Sequence, residues 1–323
     1  MKESKVDLSV IIPVYNSALS IDDLLKNVVQ ELSNIHFEII LVNDGSLDDS
    51  ENVCESLAYY DPRINFISLR KNFGEHNAVL CGLNEAKGDY SVIIDDDFQN
   101  PPSEIKKLYT HIVSGCYDVV YSKYKAKEHG LFRNIGSKFH NLMATYILDK
   151  PLNLYLSSFK IIKREIVDEI IKYTGPYPYI DGLILQSTDN IGVSIVEHQK
   201  RQRGKSTYTV RKLISLYLNM FINHSLKPIR IFMLLGVVLF FAGIVSMGVV
   251  FIDYTYNNQA YSPWVYFAFL LEIVSGIQLL FMGIIGEYMI KRITSLGGYP
   301  QFVVKSIVVG QKKKRVLAKE YFV

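Results

Sequence analysis

From Ile231 to Ile252 the chain runs 22 residues without a charge, IFMLLGVVLFFAGIVSMGVVFI. About 20 apolar residues are what a helix needs to cross the hydrocarbon core of a bilayer. Only structures that satisfy their own backbone hydrogen bonds survive there. A second apolar stretch, Trp264 to Gly286, is broken only by Glu272 and Gln278. These runs predict transmembrane helices over 229–252 and 263–290, joined by a short external loop over 253–262. The joining segment DYTYNNQAYSP has no Lys or Arg. Lys200, Arg201, Arg203, Lys205, Arg211, Lys212, Lys227 and Arg230 precede the first run, and Lys291, Arg292, Lys305 and KKKR (312–315) follow the second. The positive-inside bias therefore expects a multi-pass protein of the inner or plasma membrane, with both termini cytoplasmic and residues 291–323 a basic cytoplasmic tail. A buried helical hairpin in a soluble core is the alternative for such lengths. A carboxylate inside a span, as Glu272 would be, marks a functional or paired group. Gly236, Gly243, Gly248, Gly276, Gly283 and Gly286 allow close helix packing.

The first two thirds of the chain reads as a soluble α/β domain over residues 1–206. LSVIIPVYN (8–16), FEIILVNDGS (37–46), INFISLRKN (64–72) and YSVIIDDD (90–97) are short, β-branched, apolar runs ending in polar turns. Such runs are expected of buried parallel strands. Helical spacing follows each, most clearly Ile21, Leu24, Leu25, Val28 and Val29, and proline opens the helix after the fourth strand. Strands alternating with helices predict a mostly parallel, Rossmann-like sheet. Residues 207–228 mix basic and apolar residues at helical spacing; they read as an amphipathic helix in the membrane interface or packed on the domain.

A formal net charge of +3 in 323 residues gives no reason to expect a nucleic-acid partner. Three cysteines, Cys54, Cys81 and Cys116, lack metal-ligand spacing and fit a reducing compartment. MKESKVDLSV lacks the apolar core of a signal peptide, so this end is expected to stay in the cytoplasm.

In open α/β sheets ligands bind at the carboxyl ends of the strands. Three of the four strands end in polar clusters there: PVYN, VNDGS and DDDFQNPP. PVYNSALS has no glycine, which excludes the usual dinucleotide-binding turn. Asp95, Asp96 and Asp97 repel one another unless a positive charge faces them. Asp95 and Asp97 lie at i and i+2, on one side of an extended segment, and Gln99 shares that parity if the extension continues. Two carboxylates and an amide oxygen are hard ligands suited to Mg²⁺ or Mn²⁺ carrying a diphosphate. A solvated acidic loop capping the next helix is the plainer reading.

PVYN, VNDGS, RKNFGEHNAVLCGL and DDDFQNPP, in this order, resemble the GT-A type family 2 glycosyltransferases. RQRGKSTY (201–208), SLKPIR before the first span and GIIGEYMIKR closing the second are similar to the polyprenyl-phosphate glycosyltransferases of that family, which include undecaprenyl-phosphate glucosyl- and aminoarabinose transferases and dolichol-phosphate mannose synthases. The resemblance covers essentially the whole chain. It implies a metal-dependent, inverting, hexosyltransferase-type enzyme that moves a sugar from a nucleotide-sugar donor, UDP-linked, to a polyprenyl (undecaprenyl) phosphate at the cytoplasmic face. It also implies a homo-oligomer, a tetramer among the options.

Carried over by position, the resemblance places Asp44, with Pro13 and Tyr15, at the donor nucleotide. Asp95 matches the first acid of an Asp-x-Asp motif near the ribose and diphosphate, and Asp97 and Gln99 match its metal positions. Arg201, Arg203 and Lys205 match a basic segment that reaches phosphates, a role compatible with setting topology, and Arg133 is a further candidate for the lipid phosphate. Asp96, in the variable middle position, reads as a cap or solvated carboxylate, and His76 and His198 read as structural.

One departure stands out. Relatives often carry an acid just before the segment NLYLSSFKIIKR, where this chain has Asn153 and Leu154, then Ser157 and Ser158. A phosphate monoester acceptor is already ionised near neutral pH, so its oxygen can attack without a general base. Two other readings compete. A processive polysaccharide synthase would carry Gln-x-x-Arg-Trp, whereas the only tryptophan, Trp264, opens the second apolar run. A non-catalytic membrane scaffold would not need the Asp95, Asp97 and Gln99 set.

Overall fold

The computed structural model of the chain describes residues 5–124, 145, 154–175, 178–197, 199, 227–295 and 300–314, with side chains described up to residue 289 in the second long helix. Arg133, Asn153, His198, Arg201, Arg203, Lys205 and the amphipathic segment up to residue 226 lie outside the described residues. Two compact units result: residues 1–208 with 298–323, and residues 209–297.

The first unit is built on one sheet. Its strands are β1 (Leu8–Val14), β2 (Phe37–Asn43), β3 (Ile64–Leu69), β4 (Tyr90–Ile93), β5 (Val119–Tyr124), β6 (Lys160–Lys163), β7 (Ile191–Val196), β8 (Val304–Val309) and β9 (Lys312–Lys314). Its helices are α1 (Ile21–Glu31), α2 (Ser50–Tyr60), α3 (Glu75–Glu85), α4 (Ser103–Gly115), α5 (Arg164–Ile170) and α6 (Ile180–Ser187). The nine strands run in the order β7-β5-β6-β4-β1-β2-β3-β8-β9. Strands β4, β1, β2 and β3 are mutually parallel, as the strand–helix alternation predicts. Strand β6 enters antiparallel between β4 and β5, and β8 pairs antiparallel with β3.

The apolar runs of β1 and β2 are continuous because both faces of the sheet are covered. Leu8, Val10, Ile12, Val14, Phe37, Ile39 and Leu41 pack in one layer with Leu24, Leu25 and Val28 of α1. The alternate residues Ile11, Ile40 and Val42 pack in the other with Val79, Leu80 and Leu83 of α3. Full burial of such a side chain contributes about 1.5–3 kcal/mol, which is why the central strands tolerate so few polar residues.

The second unit contains α7 (Lys227–Tyr256) and α8 (Pro263–Ser295), of 30 and 33 residues. At 1.5 Å per residue each exceeds the roughly 30 Å of a hydrocarbon core. The two helices touch backbone to backbone: a Cβ built on Gly236 would lie 2.7 Å from the Gly276 carbonyl oxygen, and one on Gly276 2.6 Å from the Phe240 nitrogen. Gly236, Gly243, Gly276 and Gly283 are thus taken up within the pair, whereas Gly248 has nothing within 4 Å. At the connection Asp253 accepts hydrogen bonds from Asn257 and from the Tyr261 hydroxyl (2.7 Å). Glu272 is half-buried on α8.

One expectation changes. Residues 304–309 and 312–314, placed in a basic tail by sequence, are strands of the sheet. Lys305 forms an ion pair with Glu51 of α2 at 2.8 Å. The alternation Val304, Ser306, Val308 made a strand, and β3 supplied the edge that it pairs.

Candidate active site

The carboxyl ends of β1, β2 and β4 bring their polar turns together. After β1, Asn16 takes a left-handed conformation (φ 56°). Its side chain accepts from Leu47 N at 2.8 Å, and its own N–H donates to Ser46 Oγ. Ser17 and Ala18 N–H groups donate to Ser50 and Asp48. The β1 turn is therefore stitched to the VNDGS turn after β2. Pro13 is half-buried in β1, and Tyr15 is 45% exposed at the rim.

Asp44 is buried, and its two oxygens accept from the Phe73 and Gly74 N–H groups at 2.7 and 2.9 Å. Burial raises its pKa above the usual carboxylate value, while those two N–H groups oppose the shift. Asp44 thus fixes the turn between β3 and α3. Gly45, at φ 64°, comes so close to that turn that a Cβ would sit 2.4 Å from the Lys71 carbonyl carbon.

The acidic loop departs from the extended reading. Strand β4 ends at Ile93, Asp96 and Asp97 form a turn, and Phe98 adopts φ 59°. Strand parity therefore does not align Asp95, Asp97 and Gln99. Hydrogen bonds hold the loop instead. Ser158 Oγ donates to Asp95 Oδ2 at 2.6 Å, Gln99 N donates to Asp97 Oδ1 at 3.0 Å, and Gln199 N donates to the Gln99 carbonyl at 2.9 Å. Asp96 is neither a cap nor a solvated carboxylate: its Oδ2 accepts from Tyr15 N at 3.1 Å and from the Ser17 hydroxyl, tying the acidic loop to the β1 turn. Burial pushes its carboxyl up to about 6, against those two hydrogen bonds.

Three participants were not visible in the sequence. Lys160 of β6, 3% exposed, donates to Asp181 at the start of α6. Tyr121 OH donates to the same Asp181 oxygen at 2.9 Å, and the Lys160 ammonium lies 5.2 Å from the Tyr121 ring centre. Glu75, the first residue of α3, is exposed as a whole residue, but protein surrounds its carboxyl. That crowding, with negative Asp95 next in weight, pushes its carboxyl up to about 7; Lys160 acts the other way, and Asp181 and Asp96 add to the rise. The third is Ser158. Position in the chain gave no signal for any of them, since each role is set by a neighbour distant in sequence. His76 meets Tyr179 edge-on, with ring centres 5.0 Å apart. Leu154 is buried in the apolar layer of α3.

Among the described residues no three carboxylate, thiol or imidazole groups converge. The donors of the acidic loop, Asp95, Asp97 and the Gln99 amide, are all hard oxygens. They fit a divalent ion that keeps waters and substrate phosphates as its remaining ligands, not an all-protein cage.

Comparison with known proteins agrees with this architecture. The glycosyl transferase family 2 pattern matches residues 9–171. The undecaprenyl-phosphate 4-deoxy-4-formamido-L-arabinose transferase of Proteus mirabilis is 30% identical over 315 residues, covering 95% of each chain. The protein of the same name from Photorhabdus laumondii is 30% identical over 323 residues, covering 97% of this chain and 98% of its own. Among solved structures, glucosyl-3-phosphoglycerate synthase of Mycobacterium tuberculosis, in complex with Mn²⁺, UDP-glucose and phosphoglyceric acid, superposes with a TM-score of 0.50. It is 18% identical, covers 67% of this chain and 78% of its own, and so shares the sheet architecture of the GT-A fold. The matched region begins at Ser9 in β1, takes in the acidic loop and ends just after α5; the chain belongs to glycosyl transferase family 2.

Proposed function

We propose that this chain transfers a sugar, with inversion, from a UDP-linked donor to a polyprenyl phosphate at the cytoplasmic face of the membrane. The observation that carries the reading is the extent of the likeness. Relatives named for sugar transfer involving undecaprenyl phosphate match 95% or more of this chain, through the sheet and both long apolar helices. The structural neighbour bound to Mn²⁺ and UDP-glucose is compatible with a nucleotide sugar and a divalent ion as ligands of this fold.

In this reading Tyr15 and Pro13 border the nucleotide, and Asp44 holds the turn beside it. Asp95, Asp97 and Gln99 would hold Mg²⁺ or Mn²⁺, which when bound supplies positive charge against the diphosphate. Arg133, Arg201, Arg203 and Lys205 take the phosphates of donor and acceptor. The acceptor phosphate is ionised near neutral pH, so its oxygen attacks the anomeric carbon without first losing a proton. The new carbon–oxygen bond forms as the bond to the diphosphate breaks, and the nucleoside diphosphate leaves. Leu154, buried and apolar, supports a reaction without a general base at that position. The protein's contribution is then positioning and charge. The two helices would cross the bilayer, with the amphipathic segment 207–228 in its interface and several copies associating.

The test is transfer of radiolabelled sugar from a panel of nucleotide sugars, hexoses and 4-formamido-arabinose included, into undecaprenyl phosphate by the detergent-purified protein. It is run with and without Mg²⁺ or Mn²⁺ and beside Asp97→Ala. Metal-dependent label in the lipid phase, lost in the variant, supports the reading and names the donor. No lipid label from any donor, with folded protein and metal present, sinks it.

A further inference from the structure

The segment just before β6 carries two adjacent serines, of which Ser158 bonds to the acidic loop directly and Ser157 is linked to it through Tyr124. Strand β6 runs antiparallel beside β4, with Lys160 opposite Ile93. The residues just before β6 therefore pass the exit of β4, where Asp95 lies. Ser158 Oγ donates its proton to Asp95 Oδ2 at 2.6 Å. Ser157 works at the other end of the loop. Ser122 Oγ donates to Ser157 Oγ at 2.8 Å, Ser157 and Tyr124 hydroxyls meet at 3.2 Å, and Tyr124 OH donates to Asn100 Oδ1 at 3.0 Å. Each hydroxyl has one proton, so the chain has a single direction, from Ser122 through Ser157 and Tyr124 to Asn100. Ser158 thus holds the first residue of DDDFQN directly, and Ser157 reaches the last through Tyr124.

The grip is rigid. Phe159, which follows Ser158, is wholly buried, and its carbonyl accepts from Ser122 N at 3.1 Å. Lys160 is locked to Asp181 and lies over Tyr121. Ser158 is therefore carried on a segment with little freedom, while the loop that it holds contains a left-handed Phe98, a conformation that persists only where surroundings impose it.

We propose that Ser158 is a positioning residue: by fixing the Asp95 carboxylate it sets the affinity of the acidic loop for a divalent cation. This rests on the metal-assisted transfer proposed above. Groups that orient a metal ligand typically change metal affinity or activity by about 10–100-fold when removed. A serine does this without adding charge to a loop that already has three carboxylates, as an acid in its place would.

The experiment is direct titration of the full-length, detergent-purified protein with Mn²⁺, followed by electron paramagnetic resonance of the free ion, for wild type and for Ser158→Ala, Ser158→Thr and Ser158→Val. Thr and Val have the same shape and differ only in the hydroxyl, so a packing disturbance is common to both. The expected result is wild-type-like binding for Thr and about ten-fold weaker binding for Ala and Val, with the half-saturating Mn²⁺ for sugar transfer moving in parallel. Equal Mn²⁺ affinity in Thr and Val overturns the role of Ser158 while leaving the transferase reading intact. A wild-type protein that transfers sugar yet binds no Mn²⁺ overturns this proposal and the metal assignment together. Mn²⁺ binding that follows the hydroxyl, in a protein that transfers no sugar, upholds Ser158 and removes the transferase reading instead.

Discussion

Lys160 and Asp181 form an ion pair with side chains only 3% and 10% exposed, between β6 and the first turn of α6. Tyr121 completes it by donating to the same Asp181 oxygen. Removing one member of a buried pair leaves the other charge unpaired in a poorly solvating interior, at a cost of about 3–5 kcal/mol. Lys160→Met is expected to destabilise the protein by that amount in thermal unfolding. Lys160→Met with Asp181→Leu is expected to recover most of the loss, because no charge is then stranded.

Glu75 gives the fold a pH dependence of predictable sign. Its folded pKa, about 7, lies above the ordinary value of 4.5. The folded state then holds a proton that the unfolded state has lost between these values, so stability from this group is complete below about pH 4.5 and declines as pH rises through about 7. Glu75→Gln keeps the neutral form at every pH. Measured without metal, the melting temperature of wild type is expected to fall below that of Glu75→Gln as pH rises from 5 to 8. Parallel curves would show that Glu75 titrates normally.

Gly45 is required twice over. Its φ of 64° disfavours a side chain, and a Cβ would meet Lys71 and Asn72 backbone atoms at 2.4 and 2.5 Å. Gly45→Ala is expected to cost about 2 kcal/mol or more in urea unfolding, the left-handed conformation alone accounting for about 1–2. Because Lys71 and Asn72 lead into the Phe73–Gly74 turn that Asp44 holds, the transferase activity proposed above should also show a raised KM for its donor.

The helix pair offers an internal control. Gly276→Leu pushes a side chain into the backbone of α7, whereas Gly248→Leu enters open space. The first is expected to lower the detergent melting temperature of the protein and the second to leave it within a few degrees.

The four parallel strands, the covered face of α1 and the two long helices were legible because each is written in a local period or an uninterrupted apolar run. Strand β6 was not. KIIK is four residues bounded by lysines, and Lys160 tolerates burial only because Asp181 reaches it from another element. The site divides the same way. Asp95, Asp97 and Gln99 were singled out from residue type, but their shared parity depended on an extension that the chain does not keep, since Phe98 turns it. Asp96 became a crosslink through Tyr15 and Ser17, 81 and 79 residues away, a relation that no local pattern encodes.

Strand β8 also fixes the order in which this protein can be completed. It follows both long helices in the chain yet zips onto β3, and Lys305 reaches Glu51 across a separation of 254 residues. During synthesis the edge of β3 stays open until the helical pair has been made. Such distant pairings are slow to form and leave an unpaired strand edge available to other chains meanwhile. The helical pair is thus an insertion between β7 and β8 of one sheet, which lacks its last two strands until that insertion has been made.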